Sequence, residues 1–174
     1  RQMCIRDRME LYGMGVLIMG ESGIGKSECA LELLNRGHRL ITDDLVNITR
    51  QRDNRLIGSG KEPLSRYMEL RGIGIIDVGT IFGAGAIRKD CRINLVVRLE
   101  EAEKMADYER LGMGQKYTSI LKVKVPEAVI PVRPGRNLAV ILEIAAMNQR
   151  LHNQGYFPAR ELDKKLVSLM KKKQ

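Results

Sequence analysis

The chain has no tryptophan and only two phenylalanines among its 174 residues. Platforms that bind single-stranded nucleic acid stack bases on aromatic side chains, so that mode of binding is not expected. Its three cysteines, Cys4, Cys29 and Cys91, are far apart and odd in number. They form no C-x-x-C pair, which argues against a thiol zinc site, a dithiol redox motif or a disulfide framework. Cys29 falls in an apolar helical stretch and reads as a buried thiol. No apolar run approaches the about 20 residues of a membrane span. No basic, apolar, then small-residue leader opens the sequence either. The expectation is a protein of the reducing cytoplasm with no membrane partner.

What is present is ordinary for one globular domain: 44% hydrophobic and 29% charged residues. The net charge of +9 sits mostly at the ends, with +2 in residues 1–8 and +4 in residues 160–174, which leaves +3 for the body. A lysine-rich end is more often a solvated tail than a recognition element, so no nucleic-acid partner is expected.

Hydrophobic periodicity predicts a buried strand over 15–19 and a helix over 26–36 closed by Gly37. Strands follow at 40–42 and 46–48, then a polar, glycine-bearing mobile loop over 51–66. Strands are expected at 73–78 and 93–99, separated by a glycine-rich stretch over 79–86. Residues 100–118 read as part helix and part loop. Residues 120–132 are β-branched but interrupted by Pro126 and Pro131. Leu138, Ile141, Leu142, Ala145 and Leu151 mark an amphipathic helix that stops near Gly155 and Pro158, and a basic helix covers about 159–170. The pattern is that of one α/β domain.

Between the first strand and the first helix stand Gly20, Glu21, Ser22, Gly23, Ile24, Gly25, Lys26 and Ser27, which complete the pattern G-x-x-x-x-G-K-[ST]. The backbone N–H groups of such a loop point at anionic oxygens, and its glycines permit positive φ and close approach. The lysine reaches the outer phosphates, the serine hydroxyl meets Mg²⁺, and the helix dipole adds its positive end. ATP with Mg²⁺ is the expected cofactor pair. A guanine-nucleotide switch would need a base-reading N-K-x-D element, which the sequence lacks.

Nucleotide binding alone does not separate a kinase from an ATPase. A phosphoryl acceptor hydroxyl needs a base within reach, and the metal needs an acidic ligand. Asp43 and Asp44 end the strand after the first helix, at the carboxyl edge of the sheet where such sites lie. Solvated turn carboxylates are the competing reading. Glu69, beside glycines in the stretch 68–77, is a candidate metal ligand. Arg133 and Arg136, within Pro131-Val132-Arg133-Pro134-Gly135-Arg136, precede a helix and could build a second anion site. Arg110, in Tyr108-Glu109-Arg110-Leu111-Gly112, is a candidate transition-state arginine, with an exposed surface charge as the favoured reading of its residues alone.

Four segments in order, GESGIGKSE at 20–28, GHRLITDD at 37–44, MELRGIGIIDV at 68–78 and PVRPGRN at 131–137, resemble the bacterial HPr kinase/phosphorylases across residues 9–160. The resemblance implies a P-loop kinase domain whose mixed sheet is flanked by helices, with a nucleotide site like that of phosphoenolpyruvate carboxykinases. It implies a bifunctional enzyme that transfers phosphoryl from ATP or pyrophosphate to a serine of the phosphocarrier protein HPr. The same enzyme would remove that phosphoryl with inorganic phosphate, releasing pyrophosphate. Carried over by position, Lys26 holds the nucleotide phosphates, while Ser27 and Glu69 bind Mg²⁺. Asp44 becomes the base of the forward reaction and the acid of the reverse one, and Arg110 an active-site arginine. Residues 68–77 serve both directions, and the loop Pro131, Val132, Arg133, Pro134, Gly135 and Arg136 serves dephosphorylation. A homohexamer is a further expectation.

The resemblance leaves 161–174 as a basic C-terminal helix and tail. Where the family carries a histidine followed by glycine, near position 5, this chain has Ile5 and Arg6. Residues 1–8 (RQMCIRDR) therefore read as a foreign or disordered segment, and His38 as a structural residue at the helix end rather than a replacement. The family's separate N-terminal domain is not matched, so a catalytic fragment is expected. A small-molecule P-loop kinase or carboxykinase-like enzyme, and a nucleotide-binding regulatory module that has lost turnover, are the alternatives.

Overall fold

The apolar run before the glycine-rich turn is a strand, β2 (Met14–Gly20), and Val16, Leu17 and Ile18 on it are fully buried. A strand buried on both faces needs covering layers above and below, and the computed structural model supplies them. It describes residues 7–43, 46–104 and 115–171. β1 (Arg8–Leu11) pairs antiparallel with β2 across a two-residue turn, Tyr12 and Gly13, both at positive φ. That is the turn geometry matching the twist of a hairpin. β3 (Arg39–Thr42) pairs with β1. On the other side, β8 (Asp90–Glu101) runs parallel to β2 and to β10 (Val123–Val132), and β9 (Lys116–Ile120) pairs antiparallel with β10. The sheet order is β3-β1-β2-β8-β10-β9. A hairpin of β4 (Asn47–Arg50) and β5 (Leu56–Ser59) joins it through the first residues of β8.

Alternation along the strands sends side chains to opposite faces. Val16, Ile18, Leu95, Val97 and Leu99 pack with helix α1 (Lys26–Asn35) and helix α3 (Leu138–Asn153). Leu17 and Val96 face the other way, against Ile48, Leu56, Ile120 and Val125. β2 and β8 approach so closely at Gly15 that a Cβ there would overlap the Arg92 carbonyl oxygen and the Cys91 Sγ. Asn94 is left over as a bulge between the pairs Gly15–Ile93 and Val16–Leu95, and its Oδ1 accepts the Gly15 N–H at 3.0 Å.

One polar cluster fastens α3 to the end of α1. Glu143 accepts from Arg36 Nε at 3.0 Å and Nη2 at 2.6 Å, from His38 Nε2 at 2.7 Å, and from the Tyr12 hydroxyl at 3.3 Å. The Arg36 guanidinium, assisted by His38, holds the Glu143 carboxyl down to about 2 despite its burial. His38 is buried here, so it serves the fold at the helix end as expected. Cys29 is buried as expected, and burial pushes its thiol up to about 12.

Several expected elements differ. The stretch 51–66 is not all loop, because Leu56 is buried and β5 forms there, followed by a short 3₁₀ turn at Leu64–Arg66. The strand expected at 73–78 belongs to a separate two-stranded hairpin of β6 (Tyr67–Leu70) and β7 (Gly74–Asp77), with Ile75 76% exposed. It stops because Asp77 caps helix α2 (Val78–Phe82), its Oδ1 accepting the Thr80 N–H. The glycine-rich 79–86 is thus mostly α2 and a 3₁₀ turn. The prolines do not interrupt β10. Pro126 pairs only with β9 and Pro131 only with β8, so each missing N–H can face an unpaired side.

Helix α4 (Pro158–Lys171) closes the chain with Leu162, Leu166 and Leu169 exposed. No described helix is long and apolar enough to cross a membrane. Residues 7 and 8, expected in a foreign segment, are buried, and Arg8 opens β1. Its Nη2 donates to the Cys91 carbonyl oxygen, whereas Nε and Nη1 have no hydrogen-bond partner among the described residues. Burial lowers the pKa of this guanidinium. Residues 1–6 lie outside the described residues.

Candidate functional site

β2 ends at Gly20, and the chain turns through Gly23 and Gly25 at φ 85° and 98°, left-handed values that favour glycine. Helix α1 then starts at Lys26 with no side chain capping its first turn. The N–H groups there are left for an anion, at the positive end of the helix dipole. Lys26 is buried, and its Nζ donates to the carbonyl oxygens of Gly20 at 3.1 Å and Glu21 at 2.8 Å. The lysine thereby holds the loop curled around the space that phosphates would fill.

This loop forms one wall of a cleft of about 510 Å³, which also exposes Ser27, Asp43, Lys61, Glu69 and Arg71. β3 brings Asp43 to its end, and β6 brings Glu69. The two are tied together, because Asp43 Oδ2 accepts the Glu69 N–H at 3.1 Å. Met68 and Leu70 on β6 are buried, so the alternation turns Glu69 outward to the cleft. A hydroxyl at Ser27 and a carboxylate at Glu69 are hard oxygen donors in one cleft. That set suits Mg²⁺, which takes one or two protein oxygens and completes its shell with water and phosphate. The described residues hold no cluster of three His, Cys, Asp or Glu that could cage a metal alone.

Lys26, Ser27, Glu69 and the glycine-rich loop are therefore brought together. Asp44 and Arg110 lie outside the described residues. The loop 131–136 is not among the walls of this cleft. Arg136 Nη1 donates back to the Pro131 carbonyl oxygen at 3.0 Å, and Arg133 is exposed. At the helix after Arg133 and Arg136, Asn137 caps α3 by accepting the Val140 N–H at 3.0 Å, which satisfies one of the N–H groups of its first turn. Asn137 also donates to Glu32 Oε1 at 2.6 Å, which ties the end of that loop to α1. Sequence reasoning missed Lys61 and took in Arg71 only as part of the stretch 68–77, with no role of its own. Arg71 stands inside the quoted segment 68–78, but nothing in its spacing says that it faces the phosphate loop.

The family described as the HPr Serine kinase C-terminal domain matches residues 6–166. An HPr kinase/phosphorylase of a Thermoanaerobacter species is 52% identical over 161 residues, covering 92% of this chain and 53% of that protein. The HPr kinase/phosphorylase of Treponema pallidum is 51% identical over 163 residues, covering 93% of this chain and 51% of that protein. The chain thus spans about half the length of these curated relatives. Among solved structures, the HPr(Ser) kinase/phosphatase of Coxiella burnetii superimposes with a TM-score of 0.84 at 36% identity, covering 93% of this chain and 98% of that one. The match begins at residue 6, so it includes Asp7 and Arg8, which the sequence reading had set apart. With the sheet order, the phosphate loop and these matches in agreement, the chain belongs to the HPr serine kinase C-terminal domain family.

Proposed function

We propose that this chain is the catalytic unit of a bifunctional enzyme acting on HPr in the cytoplasm. It transfers phosphoryl from ATP or pyrophosphate to a serine of HPr and removes it by phosphorolysis, releasing pyrophosphate. The observation that carries the reading is the single cleft in which a buried phosphate-loop lysine meets Ser27, Asp43 and Glu69. Relatives named for this activity at about half identity support the choice of HPr as acceptor.

In this reading the backbone of residues 20–27 cradles the phosphates, and Lys26 exchanges its carbonyl partners for phosphate oxygens. Ser27 and Glu69 would hold Mg²⁺, which when bound neutralises charge on the transferring phosphoryl. Asp43 keeps the end of β3 joined to the strand bearing Glu69. Its neighbour Asp44 takes the proton from the HPr serine as the oxygen attacks phosphorus and the bond to the leaving phosphate breaks. In reverse, an oxygen of inorganic phosphate attacks the phosphoserine phosphorus, the serine oxygen leaves with a proton from Asp44, and pyrophosphate forms. Arg110 as an active-site arginine and residues 131–136 as a dephosphorylation loop complete the assignment carried by the resemblance.

A homohexamer is part of the proposal. Val140, Ile144, Met147 and Leu151 give α3 an exposed apolar stripe that copies of the chain could cover, and sedimentation velocity reads the stoichiometry. Incubation with labelled ATP and HPr, beside small-molecule hydroxyl acceptors, tests the function. Label on the HPr serine is expected. Label only on a small molecule, or ATP binding with no transfer, would overturn the proposal.

A further inference from the structure

The arginines that build this fold have acceptors. Arg36 binds Glu143, Arg88 binds Glu10, Arg98 binds Glu127, and Arg66 binds Asp77. The side chain of Arg71, like those of the exposed Arg52, Arg92, Arg133 and Arg150, makes no hydrogen bond or ion pair with any described residue, but Arg71 alone of these lines the cleft. It follows directly on β6, in the turn of the β6–β7 hairpin, two residues beyond Glu69. The alternation that buries Met68 and Leu70 leaves Glu69 and Arg71 on the cleft side together.

Its position relative to the phosphate loop is specific. A Cβ built on Gly23 would stand 3.4 Å from Arg71 Nη1, 3.4 Å from Nη2 and 3.8 Å from Cζ. The two terminal nitrogens are equally near and the carbon lies behind them, so the fork of the guanidinium points at the loop. A guanidinium fork matches two oxygens of one phosphate, which a lysine, as a point charge, does not. A cation without an acceptor among the described residues, with its fork aimed at a loop of phosphate-binding N–H groups, is positioned for an anion held by that loop.

We infer that Arg71 is a phosphate-binding residue of this site, gripping two oxygens of the anion in the P-loop from the hairpin side. The ligand class is the terminal phosphoryl of a nucleotide, pyrophosphate or inorganic phosphate. The inference deepens the phosphoryl-transfer reading and rests on it for the identity of the anion. The hairpin then carries two functions at once, a metal-binding carboxylate at Glu69 and a phosphate fork at Arg71. Movement of β6–β7 would engage or release both together.

The test is calorimetric titration of the chain with inorganic pyrophosphate and Mg²⁺, and separately with ATP. Arg71→Gln should weaken pyrophosphate binding about 10–100-fold, the worth of a charge-assisted pair of hydrogen bonds. Arg71→Lys should fall between, because the charge remains and the fork is lost. Both variants should melt with the wild type, since the Arg71 side chain makes no hydrogen bond or ion pair with a described residue. Pyrophosphate affinity within twofold of wild type in Arg71→Gln overturns the inference. So do equal losses in both variants accompanied by early melting, which would mark a structural role, and so does a wild-type chain that fails to bind pyrophosphate. Failure to phosphorylate HPr would instead strike the functional reading and leave this titration unaffected.

Discussion

Replacement of Glu143 by alanine should destabilise the chain far more than removal of a surface carboxylate. The Glu143 side chain is only 6% exposed and gathers Arg36, His38 and Tyr12. Arg36, at 39% exposure, can rehydrate when its partner goes, so little of the cost falls there. His38, at 7%, cannot, and its Nε2–H would be left facing a cavity. Breaking a buried pair costs about 3–5 kcal/mol, and discounting the exposed arginine leaves about 2–4 kcal/mol. That is a large share of the about 5–15 kcal/mol that holds a domain folded. At about 2–4 °C per kcal/mol for a chain of this size, the melting temperature should fall by roughly 4–16 °C.

The same network has a pH signature. The Glu143 carboxyl is lowered from its ordinary 4.5 to about 2, chiefly by the Arg36 hydrogen bonds. Between those values the unfolded chain binds the extra proton, so stability rises with pH across that window. The contribution is complete above about pH 4.5 and disappears as pH falls towards about 2. Glu143→Gln cannot titrate, so its melting temperature should lie below wild type at pH 6 and converge on it near pH 2.5, about the foot of that window. Thermal melts by circular dichroism at both pH values measure this. A loss under about 1 kcal/mol in Glu143→Ala, or a gap that does not change with pH, would refute the reasoning.

Lys26→Ala should abolish pyrophosphate binding and both directions of transfer, because one lysine serves one shared cleft; pyrophosphate release from phosphorylated HPr at the wild-type rate would contradict this. Arg8→Leu should raise the urea midpoint, by about 1–4 kcal/mol in stability, since an apolar side chain relieves a buried guanidinium of which two nitrogens have no partner among the described residues; a lower midpoint would show that its bond to the Cys91 carbonyl outweighs the burial. Asp44→Asn should lower both rates about 10²–10⁴-fold with ATP affinity little changed. Asp43→Asn should be milder, because an amide oxygen can still accept the Glu69 N–H. Equal losses at the two positions in HPr assays would point to a shared metal or proton site instead.

Local chemistry made part of this molecule legible in its sequence. The strand, the glycines and Lys26 of the phosphate loop obey a spacing that only one geometry satisfies, and the structure places them together. Cys29 and Leu33 repeat at helical spacing and are buried. Non-local facts were not legible. β5 has one fully buried apolar side chain, Leu56, and exists because β8 offers it an edge. β7 looked like a core strand because Ile75 and Ile76 are β-branched, yet among the described residues it pairs only with β6. Pro126 and Pro131 broke the pattern of 120–132 by composition, but the tolerance of each depends on which neighbour is missing beside it. In the site, Glu69 was given a role and Arg71 was included only within the stretch 68–77, although one alternation exposes both to the cleft.

The central claim is that one cleft phosphorylates a serine of HPr and returns the phosphoryl to phosphate. Phosphorus NMR of the chain mixed with HPr, ATP and Mg²⁺, followed by addition of excess inorganic phosphate, tests it most directly. The account predicts a phosphoserine resonance on HPr in the first stage, then its loss with matching growth of pyrophosphate. Consumption of ATP without phosphoserine, or loss of phosphoserine to inorganic phosphate alone, would contradict it.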